Sequence, residues 1–166
     1  MLALKSVSLL GLLLIGAMFG FFYAWVCSTM WGLDAADPRV AIAAMQEMNA
    51  SVRNAVFAPA MFGTPFVLAL AAALARRCSK TAACLFAAAA LTYLLFGAVL
   101  TFSVNVPMNE ALALIAVPDT VEEARQIWQD YSPDWQFWNQ MRTLACGVAL
   151  LLTGLGLVLL PGRQGM

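Results

Sequence analysis

Two short stretches of the chain carry residue types that can do chemistry at spacings that bring them together. The first is Trp135-x-x-Trp138-Asn139-x-x-Arg142, whose offsets of three, four and seven put two indoles, an amide and a guanidinium on one helical face. An interfacial aromatic belt with a snorkelling arginine would use the same residue types. A belt has no need of Asn139, however, and Arg142 opens an apolar stretch, where an ionisable side chain faces a cavity or a partner. Glu110, Glu47 and Asp130 are the acids that could pair with it.

The second stretch is Asn105-x-Pro107-x-Asn109. Pro107 lacks an amide donor and disfavours helix at Val106, so backbone carbonyls come free where an apolar segment ends. The two amides can cap those groups, as helix ends require. They can equally point into a pocket and donate to a ligand oxygen, and the two readings are compatible. Asn49, Arg53, Asn54 and Glu110 belong to the same polar neighbourhood.

These groups sit in an unusually apolar chain. Of 166 residues, 63% are hydrophobic and 11% charged, and the mean hydropathy is +0.82. A soluble domain averages about 45–50% apolar and about 25% charged, so lipid must cover part of this surface. Nine basic and nine acidic residues give zero formal net charge, which offers no nucleic-acid footprint. Histidine is absent, which removes histidine-ligated haem, the facial triad of non-haem iron and most zinc and copper sites. The expected set of metals and cofactors is therefore empty. Cys27, Cys78, Cys84 and Cys146 show no CxxC spacing and read as packing residues rather than a disulfide or redox framework.

The positioning elements follow from hydropathy. An uncharged run from Val7 to Leu33 exceeds the roughly 20 residues that cross a bilayer. It is long for a signal peptide behind Lys5 and lacks a clean cleavage site, so it reads as a retained span over about 7–30. Asp37-Pro38 opens an amphipathic helix with Ile42, Met45, Met48 (or Asn49), Val52 and Val56 on its apolar face. Further spans are expected over about 56–75, kinked by Pro59 and Pro65, over about 81–104, rich in alanine, and over about 140–160. A short helix is expected to follow Asn109 to about Val117, and the capping box Thr120-Val-Glu-Glu123 starts another through Asp130. Ser132-Pro133-Asp134 repeats the start signal for the helix that carries the fourth span. The fold class is thus all-α: one membrane domain over 1–166, a transmembrane four-helix bundle with short extra helices in two outer loops. There is no internal repeat and no low-complexity linker.

Lys5, the Arg76–Lys80 turn and Arg163 fall on one side of this arrangement and most acids on the other. Basic residues in short loops mark the cytoplasmic side, which implies cytoplasmic N- and C-termini in a bacterial inner membrane. Arg39, Arg53, Arg125 and Arg142 are exceptions that lie among acids.

At these motifs the chain resembles the anthrone oxygenase-like family of small membrane proteins, most of whose bacterial members are described as a domain of unknown function. The Asn105-x-Pro107-x-Asn109 and Trp135-x-x-Trp138-Asn139-x-x-Arg142 elements carry the likeness. Ala44-Met45-Gln46-Glu47-Met48-Asn49, then Phe57 and Phe62-Gly63-Thr64, resemble the family's first outer loop and second span. The resemblance implies four spans and, from fungal relatives, oxidation of an anthrone to an anthraquinone by molecular oxygen. An anthrone is acidic between its rings, and its anion reacts with oxygen without a metal or flavin. Such a reaction needs an apolar slot, donors for an oxyanion and a base. By that implication Trp135 and Trp138 stack on the substrate, with Asn49 beside them. Asn105, Asn109, Asn139 and Arg142 hold the oxyanion, and Glu110, where desolvated, takes the proton.

A second reading is a non-catalytic module that binds a lipid, a quinone-like ligand or a partner membrane protein. A transporter of this size would have to oligomerise, and the two halves carry no matched interrupted segments. The partners expected are the bilayer and a hydrophobic small molecule, with self-association compatible with either reading.

Overall fold

A computed structural model describes residues 1–161; Arg163, assigned above to the basic side, lies outside that range. The described residues form five helices: α1 Leu2–Ala35, α2 Pro38–Ser51, α3 Phe57–Ala75, α4 Lys80–Ala113 and α5 Val121–Val158. Four of them, all but α2, are long and apolar enough to cross a membrane. Inside lipid a helix meets its own backbone hydrogen-bonding needs, which explains why these runs are helical whatever their local propensities. The chain is a multi-pass membrane protein with a four-helix bundle.

The spans pack in a ring, α1 against α3 and α5, and α4 against α3 and α5, with consecutive spans antiparallel. One end of the bundle holds Leu4 of α1, Ala75, Ala82 and Leu160 in a single cluster, beside the basic turn Arg76–Lys80. We call it the basic end. The opposite, loop end carries α2 and both longer connections.

Local signals set most boundaries. The Asp37 carboxylate accepts from the Arg39 amide at 2.9 Å with Pro38 in the first turn of α2. Thr120 Oγ1 accepts from the Glu123 amide at 3.4 Å to open α5. Ser79 Oγ accepts from Ala82 N at 3.2 Å to open α4. Ile42 and Met45 are fully buried as expected, but Val56 is exposed. Asn54 accounts for this: its Oδ1 accepts from both Val56 N (2.8 Å) and Phe57 N (2.9 Å), which stops one helix and caps the next.

Prolines end fewer helices than their positions suggest. Pro59 sits in the first turn of α3, where an amide would lack a partner anyway. Pro65 lies inside α3 and deprives the Met61 carbonyl of its helical donor; the buried Tyr93 hydroxyl of α4 donates to that carbonyl at 2.8 Å. Pro107 does not end the helix that carries the third span. It follows two wide π-helical turns, Tyr93–Val99 and Thr101–Asn105, and α4 continues to Ala113. A widened turn relieves the clash between a proline ring and the carbonyl four residues back. Pro133 likewise does not start a new helix, because α5 runs through it. The helical stretches expected in the second loop are present, continuous with the spans beside them.

The cysteines divide. Cys146 packs in the core, whereas Cys27, Cys78 and Cys84 are exposed and do not serve as packing residues.

Candidate functional site

A cavity of about 660 Å³ opens among the helices at the loop end, within the range of small-molecule sites of roughly 300–1,000 Å³. Its walls are mostly apolar and aromatic: Phe21, Phe22 and Trp25 from α1, Phe57, Met61 and Phe62 from α3, Phe102 from α4 and Trp135 from α5. Polar groups enter from Asn49, Asn54, Thr101, Asn109 and Arg142, with Arg53 and Glu110 at the rim.

Arg142 is the dominant feature. Its residue is 4% exposed, and among the described residues no carboxylate pairs with it. The acids named from the sequence are elsewhere. Glu110 pairs with Arg53 at 3.2 Å, with 59% of its side chain exposed, so it is not the desolvated base the sequence suggested. Asp130 accepts from Gln126. Arg142 instead donates from Nε to Asn139 Oδ1 at 3.0 Å and from Nη1 to Thr101 Oγ1 at 3.3 Å. Its guanidinium carbon lies 4.4 Å from the Phe22 ring centre and 5.1 Å from that of Trp135. Two aromatic faces and two neutral hydrogen bonds hold a charge whose burial without a counter-ion costs several kcal/mol. An anionic ligand in the cavity would supply the missing partner.

The remaining amides do different work from one another. Asn139 is fully buried behind the wall; its Nδ2 donates to the Phe22 carbonyl at 3.2 Å while its Oδ1 holds Arg142. Asn105 is also buried and off the cavity; its Nδ2 reaches the Trp135 carbonyl at 3.4 Å and its Oδ1 has no partner among the described residues. Asn109 lines the cavity and knits it together. Its Oδ1 accepts from Trp135 Nε1 and Tyr131 Oη, each at 2.8 Å, and its Nδ2 donates to Asn49 Oδ1 at 3.0 Å. Because an indole N–H can only donate, this pattern fixes which way the Asn109 amide points.

Of the residues given a role in catalysis or binding from the sequence, the cavity therefore gathers Asn49, Asn109, Glu110, Trp135 and Arg142, together with Arg53 and Asn54 of the same polar neighbourhood. Trp138 is not among them. It lies half-buried at the side of α5, edge-on to Phe137 with ring centres 5.2 Å apart. An offset of three from Trp135 turns a residue about 60° away from it, since each residue rotates about 100°.

Sequence reasoning missed several contributors. Thr101 lies four residues before Asn105, and Tyr131 four before Trp135, so helical spacing from known positions would have found both. Phe22 and Trp25 had no such signal within a uniformly apolar span. Trp25 stands against Trp135 with ring centres 5.1 Å apart, at the start of a third wide turn, Trp25–Thr29. Such turns re-aim the side chains that follow them.

Asp34 ties the loop end together beside the cavity. It accepts from Trp128 Nε1 (2.9 Å), Ser132 Oγ (2.7 Å) and Gln136 Nε2 (2.8 Å). These donors lie on both sides of Pro133, so the tie anchors α5 to α1 where the helix runs through the proline, next to Trp135.

Comparison with known proteins adds one match. A family model described as anthrone oxygenase matches residues 48–152. The matched stretch runs from the cavity rim through α3, α4 and the Arg142 face of α5, and leaves out the Phe22–Trp25 wall. No curated protein and no solved structure matches the chain. Since the match spans well over half of the 166 residues, the chain belongs to the anthrone oxygenase family.

Proposed function

We propose that this protein is a cofactor-independent oxygenase that oxidises an anthrone-like or other hydrophobic phenolic compound with O2. The observation that carries the reading is Arg142, a buried cation without a carboxylate, set between aromatic faces on the wall of an apolar cavity. A flat polycycle that becomes an oxyanion fits both the shape and the charge.

In this reading the rings stack among Phe22, Trp25 and Trp135, and the substrate oxygen meets Arg142. The cation stabilises the enolate, which raises the fraction of substrate ready to react. The ring carbon then gives an electron to O2, and the resulting pair joins through a new C–O bond as a peroxide. Loss of water, with cleavage of the remaining C–H and the O–O bond, leaves the second carbonyl. Each anthrone and O2 thus become one anthraquinone and one water. Asn139 and Thr101 position Arg142, and Asn105 steadies Trp135 through its backbone. Asn109 and Asn49 orient the polar edge. Glu110, the carboxylate at the rim, takes the departing proton towards water.

The test is incubation of the purified protein with a hydroxyanthrone under oxygen and under nitrogen. Quinone formation above the uncatalysed rate, one O2 consumed per quinone, is expected only under oxygen. Tight binding of the product without turnover would identify a ligand-binding module instead.

We further propose that the basic end faces the cytoplasm of a bacterial inner membrane, supported by Lys5, Arg76, Arg77 and Lys80 at that end. Exposed Cys78 lies in the same turn. A membrane-impermeant maleimide should label it in inverted vesicles and spare it in intact cells.

A further inference from the structure

Phe62 of α3 and Phe102 of α4 belong to two surfaces at once. Both rings line the Arg142 cavity, yet the residues are 54% and 46% exposed, on helices long and apolar enough to cross a membrane. They stack on each other with centres 5.6 Å apart and planes 13° from parallel. No ionisable group adjoins them in sequence: Met61 and Gly63 flank one, Thr101 and Ser103 the other.

The backbone explains why two rings meet there. α3 packs closely along the first part of α4 and draws away from it towards the loop end. In that region α4 passes through its two wide turns, and Phe102 lies in the second. Across the widening crevice, the two rings close what the helices leave open. The rim towards water is different in kind: it carries the exposed Arg53–Glu110 ion pair.

We infer that the cavity is loaded sideways from the bilayer through a gate formed by the Phe62 and Phe102 rings. Its ligand is a planar aromatic phenol or enol dissolved in the membrane. The inference rests on the cavity being the ligand site proposed above, and it specifies where that ligand resides beforehand. Two stacked rings, with no hydrogen bond to hold them, open by side-chain rotation, without any change in the helices. The charge that holds the ligand lies deeper, at Arg142, so an apolar molecule passes an apolar door before it meets its polar anchor. The ion pair leaves a separate exit for protons and water.

The test uses the full chain in phosphatidylcholine vesicles with Cys27, Cys78 and Cys84 changed to alanine. Phe62→Cys and Phe102→Cys are then bridged by a reducible bifunctional methanethiosulfonate. The readout is quenching of tryptophan fluorescence by 1,8-dihydroxyanthraquinone already partitioned into the membrane. Bridging should slow loading measurably, and reduction in the same sample should restore it. The unbridged double variant Phe62→Ala/Phe102→Ala should load faster than the parent. Equal loading rates before and after bridging, or no acceleration in the alanine variant, would overturn the gate. Because the readout is binding, it does not depend on turnover. A gate that controls loading in a protein that forms no quinone would refute the oxygenase reading alone.

Discussion

The two ends of the bundle are built on opposite plans. At the basic end, Leu4, Ala71, Ala72, Ala75, Ala82, Ala83, Phe86 and Leu160 fill the interior with small side chains and one ring. Helices approach so closely that a Cβ on Gly156 would lie 2.8 Å from the Phe86 ring. At the loop end the interior holds Asn105, Asn139 and Arg142 fully or almost fully buried, a cavity of about 660 Å³ and three widened turns nearby. Between lipid-facing helices, close packing is the main source of cohesion. The basic end therefore supplies stability, while the loop end gives up packing to hold a charge beside a cavity.

The largest expected effect breaks the loop end chemically and leaves the fold in place. Arg142→Met should lower oxygen-dependent quinone formation about 100- to 1,000-fold, the usual loss when an oxyanion donor is removed. Its thermal unfolding in detergent should stay within about 2 kcal/mol of the parent, since relief from an unpaired buried charge offsets the lost bonds to Asn139 and Thr101. A variant that is both active and stable would remove the reason for assigning a site to this end.

The converse experiment perturbs the basic end. Gly156→Ala should cost about 1–3 kcal/mol through overpacking against Phe86. Turnover per folded molecule should be unchanged, and a specific loss of turnover would mean that the two ends are not independent.

Asp34→Ala sharpens the comparison at smaller scale. Three donors lose their acceptor, and because Asp34 is exposed the loss should be about 1–2 kcal/mol. Amide exchange should rise in α5 around Pro133 and not near Gly156. Uniform exchange along α5 would show that the tie is not what holds the proline segment.

The smallest effect is electrostatic. The Arg39 side chain and amide hydrogen-bond to Asp37 and hold its carboxyl at about 2. Its unfolded value is about 3.9, so the stabilisation is fully present above that pH and fades as pH falls towards 2. Melting curves of the parent and Asp37→Asn should differ slightly near neutrality and converge once the pH is taken below about 2. A gap that persists there would assign the effect to the neutral cap geometry.

The chain shows in its sequence whatever depends on local composition or local spacing. The spans are visible because lipid requires long apolar runs, and the starts of α2 and α5 because Asp37 and Thr120 cap neighbouring amides. Trp135 and Arg142 stood out because a seven-residue offset repeats a helical face. Pro107 and Pro133 misled, because whether a proline ends a helix depends on what holds the chain on either side of it. For Pro133 the holding groups are Asp34 on α1 and Asn109 on α4, distant in sequence.

Four apolar helices, and a polar cluster concentrated at one end of them, were determined by the sequence alone. Burial and helical periodicity are properties of short windows and need no partner to be read. The partners of each polar group were decided only by the tertiary structure. Arg142 meets Thr101 and Phe22 rather than an acid, and Glu110 meets Arg53 rather than a desolvated pocket. Asn105 and Asn139 brace the wall, and Phe62 and Phe102 close its lipid side. A guanidinium or an amide pairs with whichever group the packed helices bring within about 3 Å, and residues as far apart as Phe22 and Arg142 meet only once the bundle has formed.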